Sequence, residues 1–157
     1  MGTRHLQTVI NKEGKVKVQQ YGQWDRYPDG QGIEILNYLK NGDLNKYQNK
    51  LEKINLINQK QSKIVDDDVN WKSNYPYLSR DCGSDIHQMI ENGEVKFVEY
   101  TNEKEIKKWG VVFYTINFQK ELFITKFYSH LVKLKLNNLP SEKEYLKLFT
   151  ENNENQY

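Results

Sequence analysis

The chain has 157 residues, of which 37% are hydrophobic, 28% charged and 13% aromatic, with 11 Tyr and 3 Trp. That length suits a single domain with its own core, and so many rings exclude the aromatic-poor composition of a disordered chain. A formal charge of +2, from 23 basic and 21 acidic residues scattered along the chain, lacks the electrostatic footprint of general nucleic-acid binding.

Cys82 is the single cysteine, which excludes an internal disulfide and a multi-cysteine zinc site and points to a reducing compartment, the cytoplasm. No apolar run approaches the ~20 residues needed to span a bilayer, and the N-terminus lacks the apolar centre of a signal peptide. Met-Gly at the start suits myristoylation, but Leu6 stands where Ser or Thr is wanted. No membrane partner, no lipid anchor, no metal and no cofactor are expected; a homo-oligomer is compatible with the sequence.

The first elements read as a β-hairpin. Arg4 to Ile10 suits a strand, Lys15 to Tyr21 alternates Val16 and Val18 with polar residues, and Asn11-Lys12-Glu13-Gly14 makes the turn between them. Tyr21 to Gly32 follows as an irregular loop with three glycines and a proline. Helical spacing resumes at Ile33, Leu36, Tyr38 and Leu39 and stops at Asn41-Gly42. A second helix, capped by Asp43, is expected through Leu44, Tyr47, Leu51, Ile54 and Ile57.

Asn58 to Asn70 is polar and reads as an exposed connection; Asp66-Asp67-Asp68 within it lacks the ligand spacing of a calcium loop and reads as solvated charge. Leu78-Ser79-Arg80-Asp81-Cys82-Gly83 leads into a short helix ending near Asn92-Gly93, which Ser79, Asp81 or Ser84 can cap. Strands are expected at Val95 to Tyr100, Trp109 to Ile116 and Leu122 to Phe127, the last two as a hairpin. Ser141 caps a final helix packed through Tyr145, Leu146 and Phe149, and the tail 151–157 should fray. The expected fold is α+β, one domain over residues 1–150, with a mainly antiparallel sheet built from two hairpins and helices packed on one face.

The Tyr21 to Gly32 loop carries the densest chemistry. Tyr21, Trp24 and Tyr27 are stacking surfaces, Gln23 and Gln31 offer amides, Asp25 and Arg26 bring opposite charges, and glycines let backbone N–H groups approach a ligand. Gly30-Gln31-Gly32 at a helix start can present N–H groups to a phosphate. The competing reading is a tight loop whose rings plug the end of a small core. Arg4 and Arg80 can bind a phosphate or carboxylate bidentately.

His5 is the candidate acid or base if the protein is an enzyme, but strand alternation puts it on the face opposite Arg4. Cys82 and His87 are poorly spaced for a catalytic pair on one helix face. The candidate ligand set is therefore Arg4, Tyr21, Gln23, Trp24, Asp25, Tyr27, Gly30, Gln31, Gly32 and Arg80. Trp24 and Tyr27 would stack on a base, Gln23 and Asp25 would read polar edges, and the two arginines would neutralise phosphate.

Gly2-Thr3-Arg4-His5-Leu6, Gln20-Tyr21-Gly22-Gln23-Trp24-Asp25, Tyr27-Pro28, Gly30-Gln31-Gly32 and Leu78-Ser79-Arg80-Asp81 with Gly83 together resemble a family of small proteins from bacteria, phages and fungi. Its pattern runs GTRHL, QYGQWDGYPxGQG, LSRDxGA and a late strand like EWAYVIDLD. Arg26 replaces a Gly of that pattern and Ser84 an Ala, and Trp109-Gly110-Val111-Val112 follows the late strand only loosely. The resemblance implies no established activity. Its phage members suggest a role against host defence, for which binding or sequestering a small anionic nucleotide, such as a cyclic second messenger, would suit the loop chemistry. The alternatives are a hydrolase or phosphodiesterase acting on such a nucleotide, and a protein–protein interaction module using the exposed rings.

Overall fold

A computed structural model describes residues 3–58, 69–107 and 110–150. Strands β1 (His5–Ile10) and β2 (Val16–Gly22) form the expected antiparallel hairpin. Its turn is organised by Asn11, whose Oδ1 accepts from the backbone N–H groups of Glu13 at 3.1 Å and Lys15 at 2.8 Å. An Asn side chain folding onto the backbone two residues on is the ordinary Asx-turn device. A register shift between Val9 and Ile10 marks a bulge beside that turn.

Strands β5 (Val112–Asn117), β6 (Leu122–Phe127) and β7 (His130–Lys135) form an antiparallel meander. β1 pairs in parallel with β5, giving a five-stranded sheet in the order β2-β1-β5-β6-β7. The fold is thus α+β with a mainly antiparallel sheet, and one parallel pair joins its two halves. β7 has no counterpart among the expected strands, although Val132 and Leu134 alternate with Lys133 and Lys135. Both are completely buried against the sheet's core face.

Helices α1 (Ile33–Asn41), α2 (Leu44–Leu51), α4 (Asp85–Glu91) and α6 (Glu142–Lys147) cover that face. Their Ile35, Leu36, Tyr47, Leu51, Ile86, Ile90 and Tyr145 join Val9, Val18, Tyr114 and Phe123 of the sheet in one core. Burying an aliphatic or aromatic side chain of this size contributes about 1.5–3 kcal/mol. Asp43 and Ser141 cap α2 and α6 by accepting from the N–H groups of Lys46 and Glu144. The short helices α3 (Trp71–Asn74) and α5 (Glu103–Ile106) complete the set. Ile106 of α5 packs with Leu6 and Val111 on the opposite face of the sheet.

Helix α2 ends at Leu51 and does not run on to Ile57. Tight turns take the N–H groups of Lys53 and Ile54 back to Lys50 and Leu51. Asn55–Ile57 then becomes strand β3, paired in parallel with β4 (Phe97–Glu99). Helical spacing at Leu51 and Ile54 persists through a single buried turn, and the backbone beyond it finds its partners in a distant segment. The Val95 to Tyr100 strand is accordingly shorter than expected and lies outside the main sheet. Trp109, the Asp66 to Asp68 run and the tail 151–157 lie outside the described residues. Among the described residues, no helix is long and apolar enough to cross a membrane.

Candidate functional site

The outer edge of β2 is held at two points. At Gln19 the backbone oxygen accepts from the N–H of Thr101 at 2.9 Å, and the Gln19 amide donates back to the Thr101 oxygen at 2.8 Å. At Gln23 the backbone N–H donates to the Arg80 oxygen at 3.0 Å. The segments around Thr101 and Arg80 therefore diverge from one strand edge. Between them opens a cleft of about 440 Å³ lined by Arg4, Gln20, Tyr21, Gln23, Leu78, Arg80, Glu99, Thr101, Glu105 and Ile106.

Four residues expected at a ligand site line this cleft: Arg4, Tyr21, Gln23 and Arg80. The Arg80 guanidinium lies 5.8 Å over the Tyr21 ring centroid, a cation–π arrangement. The Gln23 amide donates to the Tyr21 hydroxyl at 3.1 Å. Arg4 precedes β1, and its backbone oxygen accepts from the N–H of Val112 at 3.1 Å. The chain entering the sheet is thereby fixed at the cleft's rim.

The rest of the loop turns away from the cleft and is organised internally. The N–H groups of Gly30 and Gln31 donate to the backbone oxygens of Tyr27 and Asp25 at 2.9 and 3.1 Å, and that of Gly32 to Tyr27 at 3.4 Å. The π-helical turn Pro28–Gly32 takes up these N–H groups, so they do not form a phosphate cradle. The Asp25 carboxylate lies against Gly30, where a Cβ would come within 2.2–2.3 Å of its oxygens. Gly30 is thus required for close approach within the loop. Gln31, only 2% exposed, accepts at Oε1 from the N–H of Ser84 at 2.7 Å. Gly32 is buried against the Tyr145 hydroxyl.

Trp24 and Tyr27 stand on the surface, at 62% and 38% exposure, and neither lines the cleft. Arg26 joins this outer group, donating to the Gly110 oxygen at 2.9 Å and to the Tyr128 hydroxyl at 2.6 Å. Its backbone oxygen accepts from the buried Tyr114 hydroxyl at 2.5 Å. Arg26, the departure from the resembled pattern, thus ties the loop to β5 and to the turn after β6.

His5 is completely buried on the core face, opposite Arg4. Burial pushes its pKa down to about 4, against an opposing effect of the Trp24 backbone. Neither ring nitrogen has a hydrogen-bond partner of good geometry. A neutral imidazole sealed from the cleft is not positioned to exchange protons with a ligand there. His87 is likewise buried, its two nitrogens engaged by the Tyr47 hydroxyl at 2.9 Å and Gln7 Oε1 at 2.6 Å. Burial pushes the Cys82 thiol up to about 12, helped by Asp85, which suppresses the nucleophilic thiolate. Ser84 occupies the position before α4 without capping it; its hydroxyl donates to Glu34 instead. Ser79 Oγ accepts from the Asp81 N–H at 3.2 Å.

Six cleft residues were absent from the expected set: Gln20, Leu78, Glu99, Thr101, Glu105 and Ile106. Gln20 alone left a readable signal. It follows Val16 and Val18 at the apolar positions of β2, and a polar residue at such a position needs a reason. Thr101, Glu105 and Ile106 reach the cleft only through tertiary packing. Among the described residues no group of three or more His, Cys, Asp or Glu side chains is placed to hold a metal ion. Comparison with protein-family models, with curated proteins and with solved structures finds no significant match.

Proposed function

We propose that the protein is a binding module for a small anionic nucleotide, held in the cleft between Arg4 and Arg80. The observation that carries this reading is that two arginines from distant parts of the chain line one concave site, with the Tyr21 ring beneath the Arg80 guanidinium. Arginine supplies planar, multidentate donors for phosphate oxygens, and an adjacent ring offers a stacking surface for a base. Such a module would sequester its ligand intact, which fits the anti-defence role implied by the phage members of the resembled family. The hydrolytic alternative draws no support from His5, which lies outside the cleft.

A panel of linear and cyclic nucleotides, incubated with the protein and recovered after denaturation, tests the reading. Recovery of an intact nucleotide from the parent, and its loss from Arg80→Ala, is the expected result. Recovery of a cleaved product would replace sequestration with catalysis, and no retained nucleotide at all would end the proposal.

A second reading rests on the other surface of the loop. Trp24, Tyr27 and Tyr128 are exposed at 62%, 38% and 56%, with Arg26 lying 5.0 Å from the Tyr27 ring centroid and 5.7 Å from that of Tyr128. Aromatic and arginine side chains are the types enriched at protein interfaces. Trp24→Ala combined with Tyr128→Ala would abolish partner capture on this reading and leave nucleotide retention unchanged.

A further inference from the structure

The five-stranded sheet has two edges, and they differ in what holds them. The Thr101 and Arg80 segments bond to the outer side of β2, whereas β7 stands at the other end of the strand order. Just beyond β7, the N–H of Leu136 donates to the Glu121 oxygen at 3.0 Å. Alternation along an antiparallel ladder then turns the N–H and C=O groups of Leu131, Lys133 and Lys135 away from β6. Among the described residues, no backbone hydrogen bond reaches these groups from outside the sheet.

The side chains of the same three residues belong to the sheet's outer face, because Val132 and Leu134 between them are completely buried on the core face. Lys126 of β6 is the direct partner of Leu131, and Ile124 is that of Lys133. Leu131 is 37% exposed; Lys126 and Lys135 are exposed and Lys133 is half-buried. Among the described residues no carboxylate pairs with these three ammonium groups. None of the five strands contains an Asp or Glu. An open strand edge thus coincides with an uncompensated row of positive charge.

A row of donors and acceptors at strand spacing is matched by another strand, whereas the phosphates of a lipid surface or a nucleic acid offer acceptors without amide donors. Lysines along an edge oppose pairing with a second copy of the same strand, since like charges on neighbouring strands are destabilising. They favour a strand of opposite charge. One set of side chains therefore disfavours self-association and selects a partner. Residues directly opposite across a ladder share a face, so acidic side chains at alternate positions meet Lys133 and Lys135.

We infer that β7 is a docking edge for an extended acidic segment of a partner protein, which adds to the sheet as a sixth strand. The inference is independent of the nucleotide cleft, which lies at the β2 edge.

A labelled heptapeptide alternating glutamate with valine, titrated with the full chain and followed by fluorescence anisotropy, tests it. Two control peptides accompany it: one has the same composition with its glutamates contiguous, and the other has the same sequence with N-methylated backbone amides. The alternating peptide should bind at least about tenfold more tightly than either control. Lys133→Glu combined with Lys135→Glu should weaken its binding by about tenfold and confer binding of a peptide with lysine in place of glutamate. Should that double variant lose its fold by circular dichroism, Lys135→Glu alone, at an exposed position, takes its place with a smaller loss expected. Equal binding of the three peptides would show attraction by charge alone and overturn the inference. Binding of none of them would also overturn it, and capture on phosphatidylserine vesicles in that case would reassign the lysines to a membrane surface. Undiminished affinity in the folded variant would overturn it as well.

Discussion

The imidazole of His5 lies against the Cα of Gly22, so that a Cβ at position 22 would sit 2.3 Å from both ring Cε1 and Nε2. The two residues are direct partners across the β1–β2 ladder. The ring is flanked on its other side by Tyr114, with centroids 6.4 Å apart in an edge arrangement. A histidine thus occupies volume that a side chain on the neighbouring strand would otherwise fill.

This contact predicts that Gly22→Ala destabilises the protein by about 1–3 kcal/mol, the range for overpacking a filled interior. His5 is wedged between two strands, so neither partner can move aside cheaply. Combining it with His5→Ala should recover part of the loss, because the smaller residue vacates the space the new methyl needs. Urea denaturation of the two single variants and the double variant measures the coupling. Strict additivity would show that the clash is relieved elsewhere.

Acid should weaken the fold through the same ring and through His87. Burial lowers their folded pKa values from 6.5 to about 4 and about 3. As pH falls below 6.5, the unfolded chain takes up these protons before the folded one does. The stability contribution of the neutral rings is therefore complete above about pH 6.5 and declines as pH falls toward 4, by about 1.4 kcal/mol per pH unit for each ring. Denaturation midpoints measured from pH 7.5 to 5 should decline across the lower part of that window. In His87→Gln, which retains hydrogen-bonding capacity, the slope should roughly halve. A flat profile would mean that both rings accept protons in the folded state.

Gln31 and Arg80 should separate stability from binding. Gln31→Leu leaves the buried Ser84 N–H without its acceptor and should cost about 1–3 kcal/mol of stability. Its effect on ligand affinity should be small, since Gln31 lies outside the cleft. Arg80→Ala removes an exposed side chain and should leave the denaturation midpoint nearly unchanged while weakening nucleotide binding. The opposite assignment of effects would place the ligand on the Gly30–Gly32 turn instead.

Salt should distinguish the ring from the charge inside the cleft. Tyr21→Ala removes a stacking surface and should cost about 1–3 kcal/mol of nucleotide affinity at any ionic strength. The deficit caused by Arg80→Ala should shrink as salt rises, because screening already weakens the phosphate contact in the parent. Trp24→Ala, at an exposed ring outside the cleft, should change neither stability nor nucleotide affinity appreciably. Titrations of all three variants at two salt concentrations provide the comparison. Loss of nucleotide binding in Trp24→Ala would move the stacking site to the outer surface of the loop.

Local chemistry was enough to read the hairpin at Asn11–Gly14, the caps at Asp43 and Ser141, the ends of α1 and α4, and the α+β class. Each depends on neighbours within a few residues, where turn residues, caps and alternation act directly on the backbone. The grouping of Arg4 with Tyr21, Gln23 and Arg80 was also suggested by residue type. Tertiary structure decided which strands meet: the parallel pairing of β1 with β5 and of β3 with β4 joins segments whose hydrogen bonds have no local counterpart. It also turned Ile57 from the end of a helix into part of a strand, and buried His5. The Tyr21 to Gly32 loop was divided the same way, because Asp25, Ser84 and Tyr145 use its glycines and Gln31 for packing. Only Tyr21 and Gln23 remain to line the cleft, which exists because Thr101 and Arg80 are anchored to the same strand edge from opposite ends.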